Sequence, residues 1–213
     1  MINSLSTKFL ISLSFFLNIT ILQSQKSDIW SDDNFTGLEF RSIGPALMSG
    51  RISDIAIHPE DENTWYVTVG SGNVWKTQNS GITWDPIFDD QASYSIGCVT
   101  IDPNNPEVVW IGTGEDQGGR HFGYGDGIYK SLDGGKNWTN MGLKNSERIS
   151  KIVIHPKNSN IVWVAVQGPL WSSGGQRGLY KTMDGGKNWK LVLKDNKWTG
   201  ATEIILDPSN NRV

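Results

Sequence analysis

Apolar and polar positions alternate in short runs along most of the chain, and the runs recur with a regular period. The run RISDIAIHP at Arg51–Pro59 returns as RISKIVIHP at Arg148–Pro156, with SIGCVTIDP between them and ATEIILDP after them. Their prolines stand at positions 59, 103, 156 and 208, so one period covers about 50 residues. This repetition predicts a chain built from copies of one structural unit.

Each period contains four apolar runs separated by turn residues, which we call A to D. Run A ends in His-Pro or Asp-Pro, run B contains a tryptophan (Trp65, Trp110 or Trp163), run C carries an aromatic-Lys-hydroxyl triplet, and run D begins at a later tryptophan. Repeats of four short strands are typical of β-propeller blades. Helical repeats are excluded because Gly and Pro interrupt every window of helical length. A β-sandwich is the alternative, but it would not explain the repetition.

The predicted fold is therefore all-β, an arc of four-stranded antiparallel blades from a β-propeller. A ring requires at least four blades, and only the first strand of the fourth, Ala201–Leu206, is expected before the sequence ends in DPSNNRV. We therefore expect an incomplete ring, with further blades in a longer chain. The predicted divisions are a leader at 1–24, an N-terminal segment at 25–47 that could supply a closing strand for the full ring, blade 1 at 48–92, blade 2 at 93–145, blade 3 at 146–196, and the start of blade 4 at 197–213.

The first 24 residues have the pattern of a secretory signal peptide. Lys8 gives a positive lead, Phe9–Leu22 reads FLISLSFFLNITIL, and the small residue Ser24 follows. A membrane span needs about 20 apolar residues, whereas this stretch is shorter and contains Asn18. We expect cleavage near Ser24 and an exported chain in the periplasm, at the cell surface or outside the cell. An uncleaved leader would be its membrane contact.

Composition excludes several other classes of function. Charged residues make up 19% of the chain and its net charge is -3, so a basic nucleic-acid-binding surface is not expected. One cysteine, Cys98, and three histidines leave little material for a metal centre. Glu115, Asp116 and Asp126 lack the spacing of a calcium loop. We predict no metal and no cofactor, and we expect Cys98 to be a small core residue.

Run C opens a turn motif of the form S/T-x-D-x-G-x-x-W in every period. The motif is complete in SLDGGKNW and TMDGGKNW, and an asparagine replaces the aspartate in TQNSGITW. A short carboxylate or amide can bond the backbone of such a turn, as can the hydroxyl two residues earlier. The tryptophan can place its ring between neighbouring blades. We assign a structural role to all twelve motif positions: Thr77, Asn79, Gly81, Trp84, Ser131, Asp133, Gly135, Trp138, Thr182, Asp184, Gly186 and Trp189.

These motifs resemble the Asp-box, or BNR, repeats of sialidases, xyloglucanases and sortilin-type propellers. The opening FRSIGPALMSGRISDIAIHP is most similar to secreted bacterial relatives of the sortilin N-terminal domain, which are often labelled glycosyl hydrolases by analogy. The resemblance covers about residues 38–213 and implies a peptide, protein or glycan recognition module. Similar xyloglucanases place a catalytic aspartate where this chain has Gly70. Because glycoside hydrolysis normally needs two placed carboxylates, this difference argues against catalysis.

The most unusual side chains fall in two long B–C turns. These turns read GTGEDQGGRHFGYGDG at Gly112–Gly127 and QGPLWSSGGQRG at Gln167–Gly178. In a four-stranded meander the B–C turns and D–A connections share the face opposite the Asp boxes, and long loops of this composition favour recognition. Tyr94 and Arg148 lie on the D–A side of that face. The predicted ligand-binding residues are Arg51, Glu115, Asp116, Arg120, His121, Tyr124, Trp171 and Arg177.

Two functions remain open from the sequence. In the first, the face binds an extracellular peptide, protein or glycan without chemistry, with Trp171 as a flat apolar surface and Arg120 and Arg177 as bidentate donors for carboxylates. In the second, the chain belongs to a sialidase- or xyloglucanase-like glycoside hydrolase whose catalytic residues lie partly in missing blades. Gly70 favours the first, and no catalytic residue is assigned.

Overall fold

Three antiparallel sheets of four strands follow one another along the chain, which confirms the predicted all-β propeller blades. The computed structural model describes residues 50–116 and 122–209. Blade 1 contains β1 (Ile52–Ile57), β2 (Trp65–Val69), β3 (Asn73–Thr77) and β4 (Asp85–Pro86); blade 2 contains β5 (Ile96–Ile101), β6 (Val109–Thr113), β7 (Ile128–Ser131) and β8 (Thr139–Asn140); blade 3 contains β9 (Ile149–His155), β10 (Asn158–Val166), β11 (Gly178–Thr182) and β12 (Lys190–Leu193).

Each sheet is a simple meander in which consecutive strands pair. The apolar side chains of the strands form two clusters, one between blades 1 and 2 around Tyr66, Phe88 and Ile111, and one between blades 2 and 3 around Trp110 and Ile152. Blade 2 therefore buries both of its faces, one against blade 1 and the other against blade 3. This packing fixes the turns at the strand ends, which carry the candidate site.

Side chains from strand A also join the blades directly. The amide of Val99 donates to Oδ2 of Asp54 at 3.2 Å, and Oγ1 of Thr100 donates to the carbonyl oxygen of Ile152 at 2.9 Å. Cys98 lies in the apolar cluster between blades 2 and 3, as predicted for a core residue. Burial raises the pKa of its thiol well above the ordinary value, so the reactive thiolate is disfavoured.

The structure corrects the equivalence of the three run-B tryptophans. Trp110 and Trp163 pair with Lys130 and Lys181, but the residue that pairs with Lys76 in blade 1 is Tyr66. Trp65 is therefore displaced by one position, and a shift of one residue places a side chain on the opposite face of a strand. Tyr66, rather than Trp65, packs between blades 1 and 2.

The residue before each run-A proline caps the following turn. Nδ1 of His58 accepts a hydrogen bond from the amide of Glu60 at 3.2 Å, and Nδ1 of His155 accepts one from Lys157 at 3.1 Å. In the sister repeat, Oδ1 of Asp102 accepts the corresponding bond from Asn104 at 2.8 Å. Histidine and aspartate interchange because each offers an acceptor to the same amide.

Residues 201–206 do not form the predicted first strand of blade 4. The amide of Ala201 donates to the carbonyl oxygen of Val166 at 3.0 Å, and Oγ of Ser150 donates to the carbonyl oxygen of Ala201 at 3.2 Å. The segment thus begins beside blade 3, but a strand requires a ladder partner.

Several predictions fall outside residues 50–116 and 122–209. These are the leader at 1–24, the segment at 25–47, and the candidate site residues Arg120 and His121. Within the described part of the chain, no helix is long and apolar enough to cross a membrane.

Candidate functional site

The Asp boxes are closed turns whose polar side chains bond one another and the backbone. In blade 2, Oγ of Ser131 donates to Oδ1 of Asp133 at 2.8 Å and accepts from the amide of Gly135 at 2.8 Å. The amide of Asn137 donates to Oδ1 of Asp133 at 2.8 Å. Asp184 makes the same contacts in blade 3. Both carboxylates are used inside their turns, which supports the structural assignment.

These hydrogen bonds stabilise the charged form of both aspartates. Together they lower the pKa of each carboxyl to about 2, and the largest cause is the side chain of Asn137 for Asp133 and that of Asn188 for Asp184. Blade 1 reproduces the turn with an amide, because Oδ1 of Asn79 accepts from the amide of Thr83 at 2.9 Å. A charge is therefore not needed to form this turn.

The box glycines and tryptophans complete the turns. Gly81, Gly135 and Gly186 have φ values of 87°, 90° and 97°, which other residues rarely adopt. The indole of Trp138 donates to the carbonyl oxygen of Ile87 in blade 1 at 2.7 Å, and Trp189 donates to Met141 in blade 2 at 2.8 Å. These two box tryptophans therefore join their blade to the preceding one.

The B–C turns and D–A connections meet on the other face, and we call their described residues the rim (residues 50–51, 70–72, 87–95, 114–116, 122–127, 141–148, 167–177 and 194–201). Oγ of Ser95 lies 2.6 Å from the carbonyl oxygen of Gly70 and 3.0 Å from that of Gly123. Nε2 of Gln167 donates to the carbonyl oxygen of Asp116 at 3.3 Å. Loops of all three blades are thus connected into one surface.

Glu115 is buried on the rim and paired with an arginine of the preceding blade. Its side chain is 1% exposed. Nε of Arg51 donates to its Oε1 at 2.6 Å, and NH2 of Arg51 contacts the same oxygen. A Cβ added at Gly70 would lie 2.9 Å from Cδ and Oε1 of Glu115. The carboxylate therefore fills the space that a side chain at position 70 would need.

The structure corrects the expectation that Arg177 is a free donor for ligands. The side chain is 4% exposed, and its guanidinium donates to carbonyl oxygens of the surrounding loops. Nε bonds Gly174 at 2.8 Å, NH1 bonds Gln167 at 2.8 Å and Trp198 at 3.0 Å, and NH2 bonds Ser172 at 2.6 Å and also Pro169. Arg177 fixes the backbone on both sides of Trp171 and that of Trp198.

The large apolar side chains that the described part of the rim exposes are aromatic. Trp171 is 71% exposed, and Tyr94, Tyr124 and Trp198 are each more than half exposed. Trp198 was missed by sequence reasoning, although its position in a D–A connection places it on the predicted face. Together these residues give the rim several flat apolar surfaces on hydrogen-bonded loops.

Arg148 differs from the other two described rim arginines. It is 7% exposed, its Nε donates to the carbonyl oxygen of Gly168 at 2.9 Å, and its guanidinium carbon lies 5.6 Å from the ring centre of Phe122. Burial is the main cause that lowers its pKa, followed by the charge of Arg177. Asp116 lies part-buried nearby.

Among the residues that the structure describes, no group of three or more His, Cys, Asp or Glu side chains could hold a metal ion.

A family model places the chain among known proteins. Residues 73–210 match the Sortilin-Vps10 model, whose description reads "Sortilin, neurotensin receptor 3". The chain belongs to the Sortilin-Vps10 family. The match spans most of the described blades and agrees with the Asp-box repeats.

Similar proteins include enzymes that act on xyloglucan. A probable oligoxyloglucan-reducing end-specific xyloglucanase of Neosartorya fischeri is 23% identical over 211 aligned positions, which cover 72% of this chain and 25% of that protein. The crystal structure of an ancestral GH74 enzyme gives a TM-score of 0.52 at 20% identity, over 68% of this chain and 19% of the other. A GH74 enzyme of Niastella koreensis gives 0.47 at 25% identity, over 64% and 20%. The chain thus spans about a quarter or less of these relatives, and the ancestral enzyme shares its propeller fold.

Proposed function

We propose that this chain is part of an exported propeller that binds an extended polymer, a glycan or a peptide, across the rim. The observation that carries this proposal is the arrangement around Trp171. The indole is 71% exposed, yet its loop is tied down by the buried guanidinium of Arg177. An exposed aromatic side chain on a fixed backbone loses little freedom on binding, so more of the contact energy appears as affinity.

The other exposed aromatic side chains extend this surface along three blades. Tyr94 lies between blades 1 and 2, Tyr124 lies in the B–C turn of blade 2, and Trp198 follows blade 3. Aromatic residues are prominent among the side chains that dominate binding energies. A surface of this extent fits a chain-like ligand better than a single small molecule.

A glycoside hydrolase is the second candidate, and the similarity to xyloglucanases favours it. The contacts of Gly70 argue against it, because Glu115 occupies the space beside Gly70 and is itself paired with Arg51. A carboxylate held in this way is poorly placed to act as an acid or a nucleophile. Incubation with xyloglucan and analysis of released oligosaccharides tests this candidate, and release by the purified chain would overturn the binding-only proposal.

The binding proposal is tested on glycan and peptide arrays, followed by calorimetry on each hit. We expect Trp171→Ala and Tyr124→Ala to weaken binding at least fivefold while the melting temperature stays unchanged, because both side chains face solvent. Leu132→Ala is the matched control, since Leu132 is an exposed apolar residue on the Asp-box face. If both rim variants bind every hit as the unmodified chain does, the rim is not the binding surface.

A further inference from the structure

Among the described rim arginines, Arg148 has the fewest hydrogen bonds from its guanidinium group. Arg177 donates to five carbonyl oxygens, and Arg51 pairs with the carboxylate of Glu115. Arg148 has one hydrogen bond there, from Nε to Gly168, although it is only 7% exposed. Buried polar groups are normally hydrogen-bonded. The terminal nitrogens of Arg148 are not among the fully buried atoms that lack a partner, so they lie where an acceptor on a bound molecule can reach them.

The surroundings of Arg148 hold its guanidinium at the seam between blades 2 and 3. The ring of Phe122 comes from the B–C turn of blade 2, and the carbonyl group of Gly168 comes from the B–C turn of blade 3. Burial and the nearby Arg177 lower the pKa of Arg148, and Glu147 and Asp116 offset this effect in part. A fixed guanidinium that has lost much of its hydration favours an anionic partner with two oxygens.

A side chain at position 168 could not supply an acceptor for Arg148. Gly168 has a φ of 77°, and a Cβ there would lie 2.2 Å from Cγ of Arg177. The Arg51–Glu115 pair shows, in contrast, that the guanidinium of a rim arginine donates hydrogen bonds to a carboxylate. For Arg148 the acceptor can come from a bound molecule.

We infer that Arg148 binds the carboxylate of a uronic acid residue in an acidic polysaccharide. This inference rests on the proposed function and names the ligand of the same rim. A uronic acid carries its carboxylate on a sugar ring, whose flat apolar face can stack on exposed aromatic side chains. The rim presents such side chains at Tyr94, Tyr124, Trp171 and Trp198. An acidic peptide would supply carboxylates but not a repeated ring for these surfaces.

The test compares two ligands that share one sugar backbone and differ only at the carboxyl group. Oligogalacturonate and its methyl ester have the same sugar backbone, and the ester lacks the carboxylate charge. Calorimetry with the full chain should show at least tenfold tighter binding of the acid at low salt, and the difference should shrink as salt is added. Equal affinity for the acid and the ester would overturn the inference without the need for any variant.

Two substitutions at Arg148 assign the preference to this residue. Arg148→Met should lower the affinity for the acid to that for the ester. Arg148→Lys should retain part of the preference for the acid, because it keeps the positive charge but loses the paired donors of the planar guanidinium. Lys157→Met is the control, since it removes one positive charge from the exposed A–B turn of blade 3 on the opposite face. Circular dichroism and melting curves establish that each variant is folded. A folded Arg148→Met variant that still prefers the acid would contradict the inference.

Trp171→Ala separates this inference from the proposed function. If Trp171→Ala weakens binding of both ligands while Arg148→Met changes neither, the rim binds polymers but Arg148 is not the carboxylate site. If neither substitution weakens binding, the rim itself is not the site. Arg148-dependent binding of an octaglutamate peptide, with no binding of oligogalacturonate, would overturn the polysaccharide assignment in favour of an acidic peptide.

Discussion

The ammonium group of Lys76 in blade 1 donates a hydrogen bond to the carbonyl oxygen of Gly134 in the Asp box of blade 2, at 2.9 Å. The hydroxyl of Tyr66 donates to the same oxygen at 3.1 Å, and Nζ of Lys76 lies 5.2 Å from the ring centre of Tyr66. Lys130 repeats the arrangement one blade later, with the carbonyl oxygen of Gly185 at 3.3 Å and the ring centre of Trp110 at 4.7 Å. The lysine of run C therefore links its blade to the next Asp box.

The substitution Lys76→Met should reduce the free energy of unfolding by about 1–2 kcal/mol, because it removes a part-buried charged hydrogen bond and a cation–π contact. Urea denaturation followed by tryptophan fluorescence measures this loss. Lys181→Met is the matched control, since Lys181 lies over Trp163 at 4.7 Å but bonds no box carbonyl among the described residues. An equal loss for both variants would show that the link to Gly134 contributes nothing.

The free energy of unfolding should decrease at acid pH because the Asp-box carboxylates become protonated. Hydrogen bonds lower the pKa of Asp133 to about 2, below its value of about 3.9 in an unfolded chain. Its contribution is therefore fully present above pH ~4 and is lost as the pH falls toward ~2. Asp133→Asn should keep the turn, as Asn79 does in blade 1, but should lack this acid-sensitive contribution.

Urea midpoints at several pH values between 5 and 2.5 provide the measurement. The stability difference between the unmodified chain and Asp133→Asn should narrow as the pH falls. Asp90→Asn, which replaces an exposed carboxylate outside the boxes, serves as the control and should give a nearly constant difference. If the difference in free energy of unfolding between the unmodified chain and Asp133→Asn also stays constant with pH, the charge of Asp133 does not stabilise the folded turn.

The pair formed by Arg51 and Glu115 should respond asymmetrically to substitution. Glu115 is 1% exposed, whereas Arg51 is 52% exposed. Arg51→Met would leave a buried carboxylate without its partner and should cost roughly 3 kcal/mol, at the lower end for a broken buried pair because Arg51 is partly exposed. Glu115→Gln removes the buried charge and leaves an arginine that water can reach, so it should cost less. The double variant should recover part of the loss caused by Arg51→Met. Chemical denaturation of the four proteins in this cycle measures the coupling, and strictly additive effects would exclude an interaction.

The repeat made the blades predictable, because every period carries the same run-A proline, the same aromatic-Lys triplet and the same box. The sequence also shows His58, Asp102 and His155 at the same place before the run-A prolines, and the structure explains this interchange because each caps the following turn. These features depend on contacts within a few residues. Local contacts of this kind can be predicted from the residue types at neighbouring positions.

The candidate site was less predictable because its contacts join distant residues. Arg51 and Glu115 are 64 positions apart, and their pairing depends on how two blades meet. Arg177 was expected to face solvent, but the path of two loops brings five carbonyl oxygens around it. Trp65 was aligned with Trp110 by residue type, whereas strand pairing shifts it by one position. Residue type alone therefore did not determine which side chains remain exposed.

Blade 1 exposes an apolar face, whereas the matching face of blade 3 is buried. Ile52, Ile55 and Ile57 are more than half exposed, whereas Ile149, Ile152 and Ile154 occupy the matching positions of the repeat in β9 and are buried in the cluster between blades 2 and 3. The same substitution can therefore be compared at matching positions. Ile152 is 1% exposed and Ile55 is 51% exposed, and only the buried site must exclude a charge.

Ile152→Glu should destabilise the chain by more than about 3 kcal/mol or prevent folding, whereas Ile55→Glu should change stability by less than about 1 kcal/mol. Ile55→Glu should also reduce self-association, because it places a charge in an exposed apolar patch. Denaturation curves at two protein concentrations, together with light scattering, measure both effects. A large and concentration-independent loss for Ile55→Glu would mean that another part of the same chain covers this face in solution. A loss that disappears on dilution would mean instead that a second molecule covers it.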